Sequence, residues 1–92
     1  MLVPVHPGRI LAREMKARRL SAHALSLKLR VPANRISEIV SGRRGITAET
    51  ALRLGRYFKT GPELWGQLQS NYDLAIAERE FGEIVRREVE AA

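Results

Sequence analysis

The chain has 92 residues, enough for one domain with a modest core, and 45% of its residues are hydrophobic, an ordinary share for a globular protein. It contains no cysteine and no apolar run near the ~18 to 20 residues of a membrane-spanning helix, which argues against a disulfide framework and a membrane protein. The N-terminal residues lack the basic and apolar regions of a signal peptide, so a soluble protein of the cytoplasm is expected.

Positive charge is concentrated in the first two-thirds of the chain. Residues 1–60 carry 13 Lys and Arg and 3 acidic residues, a balance of +10, whereas residues 61–92 carry 3 Arg and 7 acidic residues, a balance of −4. This asymmetry is expected of a nucleic-acid-binding module followed by an interaction element. Charge alone is weak support, because many small basic domains do not bind nucleic acid specifically.

Hydrophobic residues recur at a spacing near 3.6 through almost the whole chain, and no stretch alternates as a β-strand does. The sequence therefore predicts an all-α protein of five or six helices. Because proline is tolerated in a first helical turn, the first helix is expected from Pro7 and Gly8 to about Arg18. Ser21 is a good N-cap for a second helix over residues 22–29, which has a small apolar face.

A break at residues 29–32 separates the second helix from a third. Proline favours the first helical position and disfavours helical geometry at the residue before it, so the third helix is expected from Pro32 to Ser41. Gly42 stands where a left-handed residue would end this helix, and Gly45 allows a second tight bend.

Two further helices are expected after the third. Thr47 is the predicted N-cap of a fourth helix that runs to about Phe58. The fifth helix has two possible caps, Thr60 in a capping box or Gly61 followed by a proline. Its hydrophobic spacing continues past Gly82, where glycine costs up to ~1 kcal/mol in a helix, so a bend or a break there stays open.

The second and third helices form the pattern of a helix-turn-helix, two short helices joined by a turn of three or four residues. Ile36, Ile39 and Val40 make a single apolar stripe that can hold the third helix on the domain. The opposite face and the N-terminal residues of that helix are then free to enter a DNA major groove, which is ~12 Å wide.

The polar side of the third helix supplies the candidates for reading bases. They are Pro32, Ala33, Asn34, Arg35, Ser37 and Glu38. Arginine suits guanine, asparagine suits adenine, glutamate can accept from cytosine, and alanine can touch the thymine methyl group. Asn34, Arg35 and Ser37 rank highest. Glu38 ranks lower, because phosphate repels its charge and it can instead orient a neighbouring arginine.

Basic residues on both sides of the third helix are candidates for phosphate contact. Arg43 and Arg44 lie between two glycines in a loop that leads to the N-terminus of the fourth helix, where free amides and a partial positive charge suit a phosphate. The full set is Lys28, Arg30, Ser41, Arg43 and Arg44. We expect these residues to supply register and salt-dependent affinity more than sequence preference. An ordinary solvated loop is the alternative for the two loop arginines.

Several motifs together resemble one family. They are HPGRIL at residues 6–11, NRISEIV at 34–40, GRRGIT at 42–47, ALRL at 51–54, a Leu-Trp pair, and LQSNYDL at 68–74. Over residues 6–79 the chain resembles the HigA branch of the xenobiotic-response-element (XRE) type of helix-turn-helix proteins, also described as VapI-like antidote proteins. The resemblance implies a lambda-repressor-like DNA-binding domain, set at residues 1–77, with a C-terminal helical tail at residues 78–92.

The family resemblance also implies a function and partners. Such a protein is an antitoxin that neutralises a RelE-like messenger-RNA interferase toxin of the HigB type by direct binding. It also represses its own operon as a homodimer on a palindromic operator. The C-terminal part forms the dimer interface in related proteins, which makes Trp65, Leu68, Tyr72 and Phe81 dimer candidates. Packing within the chain is the alternative for Trp65.

The chain departs from its relatives at two positions. The turn position usually held by glycine is Arg30, where a left-handed backbone would cost roughly 1 kcal/mol. Ala22 replaces a glutamine that often touches DNA in relatives, so one expected contact is missing. A stand-alone repressor without a toxin, and a protein-interaction module with marginal DNA affinity, are therefore kept as alternatives.

Nothing in the sequence predicts an enzyme. The serines lack a His and Asp setting, and SGRRG at residues 41–45 lacks the spacing and the lysine of a phosphate-binding loop. His6 and His23 have no Cys or acidic companions at ligand spacing, so no metal and no cofactor are expected. The glutamates within residues 78–83 lie among arginines on a helix, where salt pairing at i+3 or i+4 is expected.

Overall fold

The computed structural model describes residues 3–92, and this part of the chain forms five α-helices and no β-strand. The helices are α1 (Pro7–Ala17), α2 (Ala22–Leu29), α3 (Ala33–Val40), α4 (Ala48–Phe58) and α5 (Pro62–Glu88). The predicted all-α class is confirmed, with five helices rather than six over the described residues. None of these helices combines the length and the apolar character needed to cross a membrane.

Side-chain caps begin two of the helices at the predicted positions. Ser21 Oγ accepts a hydrogen bond from the Ala24 amide at 3.0 Å, and Thr47 Oγ1 accepts one from the Thr50 amide at 3.2 Å. Each such cap satisfies an amide that has no partner inside its helix. At the start of α5 the N-cap is Gly61, followed by proline, so the second of the two caps considered from the sequence is the observed one.

The core lies where one face of each helix meets the others. Its largest fully buried hydrophobic side chains are Leu11, Leu25, Ile36, Ile39, Leu54 and Trp65. The close approach of α1 to α3 depends on Gly8, because a Cβ atom there would lie 1.8 Å from the carbonyl oxygen of Ile39. The buried side of α3 is thereby held against α1, and its opposite side faces outward.

α5 is unbroken over 27 residues, a length of about 40 Å at 1.5 Å per residue. Its first half packs on α4, and its second half extends beyond the core, so the molecule measures 49 Å along its longest axis and 22 Å along the others. The boundary set from the sequence between residues 77 and 78 lies inside this helix.

α5 passes through Gly82 without interruption. Arg86 Nη1 donates to Glu78 Oε1 across this glycine, and a Cβ atom at Gly82 would lie 2.5 Å from the same carboxylate oxygen. The paired residues are eight positions apart instead of the expected three or four. Because Gly82 has no side chain, the Glu78 and Arg86 side chains have room to meet above it. α5 is therefore unbroken at Gly82, and this glycine leaves space for an ion pair along the helix surface.

Candidate nucleic-acid interface

α3 has one apolar, buried face and one polar, exposed face, as the sequence predicts. Ile36 and Ile39 are fully buried, and Val40 is half-buried against the core. Asn34 and Ser37 are exposed on the opposite side. The predicted apolar stripe is confirmed, and it leaves a polar face of α3 open to a ligand.

The turn between α2 and α3 contains a left-handed residue. Arg30 has φ 60° and ψ 47°, the left-handed conformation that glycine adopts without steric cost. The arginine therefore carries the conformational penalty of ~1 kcal/mol or more that a side chain meets in this region. Its side chain is exposed at the end of α2.

Arg35 is not a freely moving side chain at the start of α3. Its Nη1 lies 3.5 Å from Oε1 of Glu49 in the first turn of α4, and about a quarter of the side chain is exposed. The other carboxylate oxygen of Glu49 pairs with Arg53 Nη2 at 3.1 Å. Asn34 and Ala33 beside it are exposed. At the N-terminal end of α3, Ala33 and Asn34 are therefore exposed and Arg35 is ion-paired.

Glu38 is directed toward the loop that follows α3. Its Oε1 accepts from Arg44 Nε at 2.8 Å and pairs with Arg44 Nη2 at 2.7 Å. Its backbone carbonyl oxygen accepts from the amides of Arg43 and Arg44, and from Ser41 Oγ at 3.1 Å. Arg43 Nε also donates to Ser41 Oγ at 3.0 Å. This geometry favours the second role considered for Glu38, orientation of an arginine, over contact with a cytosine.

The loop after α3 is anchored to α5. The Ile46 amide donates to Gln69 Oε1 at 2.7 Å, a contact across 23 residues of sequence. Gly45 was expected to allow a second tight bend, but it does not have a positive φ. It instead allows the loop backbone to lie close to the Gln69 side chain, since a Cβ atom at Gly45 would lie 3.0 Å from Gln69 Oε1. Gly42 has the predicted left-handed conformation, with φ 81°. Two arginines are thereby presented on an anchored loop.

His6 joins this loop to α1 and α5. Its Nδ1 accepts from the Gly8 amide at 2.9 Å and caps α1, and its ring meets the edge of Tyr72 with centroids 4.9 Å apart. Burial lowers the pKa of His6 from its usual 6.5, against the opposing effects of the Asp73 carboxylate and the Arg44 backbone. The neutral ring is the form that can accept the capping hydrogen bond.

Stability is expected to fall as the pH drops below about 6.5, the unperturbed pKa of histidine. In that range the unfolded chain binds a proton at His6 that the folded chain does not, so the free energy of unfolding rises with pH. Urea unfolding at a series of pH values between 5 and 8 measures this slope. His6→Asn keeps a capping side chain but cannot titrate, so its slope should be smaller. Equal slopes for the two proteins would contradict the assignment to His6.

The four residues considered for a dimer interface lie in different environments. Trp65 has no exposed surface and packs against Phe58 with ring centroids 5.8 Å apart, so packing within the chain, the alternative for this residue, is the observed arrangement. Leu68 is half-buried against the same core, and Tyr72 is half-buried beside His6. Phe81 alone is largely open, with 54% of its surface exposed.

An apolar stripe runs along the second half of α5. Leu74, Phe81 and Val85 are all more than half exposed and follow one another at spacings of seven and four residues, which place them on one side of a helix. We call these three residues the α5 stripe. Exposed hydrophobic residues at helical spacing are typical of a surface that another protein chain covers.

Three comparisons with known proteins agree with this architecture. The helix-turn-helix family profile matches residues 11–65, which include α2 and α3. The virulence-associated protein I of Dichelobacter nodosus is 52% identical over 77 residues, covering 83% of this chain and 71% of that protein. An addiction module antidote protein of the HigA family from Coxiella burnetii is 43% identical, with a TM-score of 0.93 over 97% of this chain and 98% of that one.

A third relative was solved with DNA. It is a Pseudomonas aeruginosa protein in complex with its 18 bp operator, 41% identical, with a TM-score of 0.97 over all of this chain and 98% of that one. The fold, the open face of α3 and the matched profile define a helix-turn-helix protein. Within that class, the chain belongs to the HigA-type antitoxins, the VapI-like antidote branch of the XRE-type family.

Proposed function

We propose that this protein is a DNA-binding antitoxin that represses its own operon and acts in the cytoplasm. The observation that carries the proposal is α3, which is held to the core by one apolar stripe while its polar face stays open beside an anchored basic loop. The Pseudomonas aeruginosa relative, of the same fold, was solved on its operator, which supports the same kind of ligand for this chain.

Different residues carry affinity and specificity in this proposal. Asn34 and Ser37 read base edges with Ala33 beside them, and Arg35 reads a base only by exchanging its contact with Glu49 for one to DNA. The loop residues Ser41, Arg43 and Arg44 bind phosphates. Glu38 positions the Arg44 side chain for this contact. Lys28 and Arg30 provide phosphate contacts from the end of α2.

The operator-binding form in this proposal is a homodimer. The α5 stripe is apolar and exposed in the single chain, and a second copy of the same stripe would cover it. Two copies of α3 would then reach two half-sites of a palindrome, spaced by about one helical turn or ~34 Å. Phe81 is the central side chain of this interface, and Tyr72 and Leu68 lie toward the core from it.

The partner protein in this proposal is a RelE-like messenger-RNA interferase of the HigB type, neutralised by direct binding. A RelE-like gene beside the gene of this protein is what the proposal requires. Co-expression of this protein should restore the growth of cells that produce that toxin. If DNA binding is found without any growth rescue, the protein is a stand-alone repressor.

Changing Arg43 and Arg44 together to alanine should flatten the salt dependence of operator affinity. Each phosphate that the variant no longer neutralises reduces the slope of log K against log salt by about 0.9, while the preferred sequence should stay the same. Asn34→Ala should instead leave the slope unchanged and reduce discrimination at one base pair by ~1 to 3 kcal/mol. Fluorescence anisotropy at several salt concentrations, on the operator and on single-base variants, measures both quantities.

The matched control is the double change of Arg79 and Arg87 to alanine. It removes the same charge from an exposed part of α5 that is outside the α5 stripe. Its salt slope should exceed that of the loop variant. A loop variant that matches this control would contradict the phosphate assignment, and a wild-type protein without preference for its own upstream DNA would contradict operator binding itself.

A further inference from the structure

A basic cavity of about 310 Å³ lies between the C-terminal end of α2 and the middle of α4. Its lining residues are Lys28, Leu29, Arg30, Arg53, Arg56 and Tyr57. Four of the six are cationic and none is acidic, so the potential inside the cavity favours an anion. Leu29 and Tyr57 complete the lining. We call this the α2–α4 cavity.

Arg53 is held in place and retains an unused donor. Its Nη1 donates to the carbonyl oxygen of Leu29 at 2.9 Å, and its Nη2 donates to Glu49 at 3.1 Å. Its Nε is buried without a hydrogen-bond partner among residues 3–92. The two contacts fix the guanidinium beside the cavity, so Arg53 contributes a positioned positive charge to the lining.

The α2–α4 cavity adjoins the N-terminal end of α3. Arg35 in the first turn of α3 pairs with Glu49, and Glu49 pairs with Arg53, which lines the cavity. Four residues of α4 separate the last two, a rise of about 6 Å. The turn that begins at Arg30 leads directly into α3. Two ion pairs through Glu49 therefore link the cavity to Arg35, a candidate for base reading.

Basic groups thus lie at both ends of α3. Arg43 and Arg44 follow its C-terminal end, and the α2–α4 cavity adjoins its N-terminal end. α3 has eight residues, a length of about 12 Å, which is close to the ~12 Å width of the major groove. The groove is bordered by two backbones, each with its own row of phosphates, so cations beyond both ends of α3 can serve both backbones.

We propose that the α2–α4 cavity binds a backbone phosphate of the operator, on the strand across the major groove from the one that Arg43 and Arg44 contact. The inference rests on the proposed operator binding and deepens it, because it places the proposed phosphate contacts of Lys28 and Arg30 in one site with Arg53 and Arg56. Lys28, Arg30 and Arg56 surround the phosphate, and the Arg53 guanidinium adds a fixed positive charge at the wall of the cavity. Arg30, in its left-handed conformation, then adds a cation at the cavity that a glycine at this position could not supply.

The test uses operator DNA in which single phosphates are replaced by uncharged methylphosphonates, one at a time along both strands. With the wild-type protein, affinity should fall for positions on both sides of the groove. The Lys28→Ala, Arg56→Ala double variant should become insensitive on one strand only, and its salt slope should decrease by about 0.9 for each phosphate that it no longer neutralises. Arg43→Ala should become insensitive on the other strand.

Both substituted residues of the cavity variant are exposed, so an unchanged unfolding midpoint is expected and would show that the fold is intact. The Arg79→Ala, Arg87→Ala variant again matches the charge removed and should keep sensitivity on both strands. If the cavity variant behaves like this control on an operator that the wild-type protein binds, the proposed site is absent although the proposed function stands. Failure of the wild-type protein to bind any operator would instead remove the proposed function.

An acidic protein segment is the competing ligand for this cavity. Hexaglutamate serves as the probe, and the resonances of Tyr57 report its binding in nuclear magnetic resonance spectra. Saturable shifts that disappear in the Lys28→Ala, Arg56→Ala variant, together with unchanged methylphosphonate sensitivity on both strands, would assign the cavity to a protein partner and overturn the proposal. Loss of methylphosphonate sensitivity on one strand, without such shifts, would support it.

Discussion

Replacing Phe81 by glutamate is expected to convert the proposed dimer into a monomer and to weaken operator binding by about 10² to 10⁴-fold, the range over which a second linked site increases affinity. Phe81 is the middle residue of the α5 stripe, between Leu74 and Val85. A carboxylate at this place in each copy would be buried next to apolar surface and next to its own symmetry mate, and both effects oppose association.

Sedimentation equilibrium gives the oligomeric state, and anisotropy with a full palindrome and with a single half-site gives the two affinities. The loss should be large on the palindrome and small on the half-site, because each α3 is unaltered. Val89→Glu is the matched control, since this valine is also exposed but follows the end of α5. A Phe81→Glu variant that stays dimeric would show that the α5 stripe is not the dimer interface.

Trp65→Ala is expected to lower the free energy of unfolding by ~3 to 5 kcal/mol, the usual cost of removing a buried tryptophan. The indole has no exposed surface, lies against Phe58, and donates from Nε1 to Thr60 Oγ1 at 3.0 Å. The change leaves a large cavity where α4 turns into α5 and removes the hydrogen bond from the indole to Thr60 Oγ1. Such a loss is a large share of the ~5 to 15 kcal/mol that stabilises a typical domain.

Urea unfolding followed by circular dichroism measures this effect without relying on tryptophan fluorescence. Trp65→Phe keeps most of the ring volume and should lose less, which provides a measurable variant if the alanine protein does not fold. Leu64→Ala, at a neighbouring exposed residue, should change stability little. A Trp65→Ala protein that keeps its stability but does not dimerise would indicate that Trp65 belongs to the dimer interface, and it would contradict the place of Trp65 in the core.

Much of the fold was predictable because its signals are local. The caps at Ser21 and Thr47, the end of α3 at Gly42, and the apolar stripe of α3 each depend on residues within one or two helical turns, and each is observed. The family resemblance was readable for the same reason, since its motifs lie in short stretches. Neither a bend nor a break at Gly82 could be excluded from the sequence, whereas α5 runs through this glycine unbroken and an ion pair spans it.

Contacts between distant residues were not predictable from these signals. Arg53 reaches the carbonyl of Leu29 across 24 residues, and Gln69 reaches the Ile46 amide across 23. Neither residue stands out in the sequence, since an exposed arginine or glutamine on a helix is ordinary. Their partners are set by how α4 and α5 pack against the helix-turn-helix, and hydrophobic periodicity does not define that packing.

The sequence by itself therefore determined the helices, their caps, the helix-turn-helix and the family, because each follows from neighbouring residues. The tertiary structure decided the roles of individual side chains. It placed Trp65 in the core, turned Glu38 toward Arg44, and brought four cationic residues around one cavity beside α3. The physical reason is that burial and pairing depend on which helix faces meet, and those faces are brought together by the fold rather than by the spacing of residues along the chain.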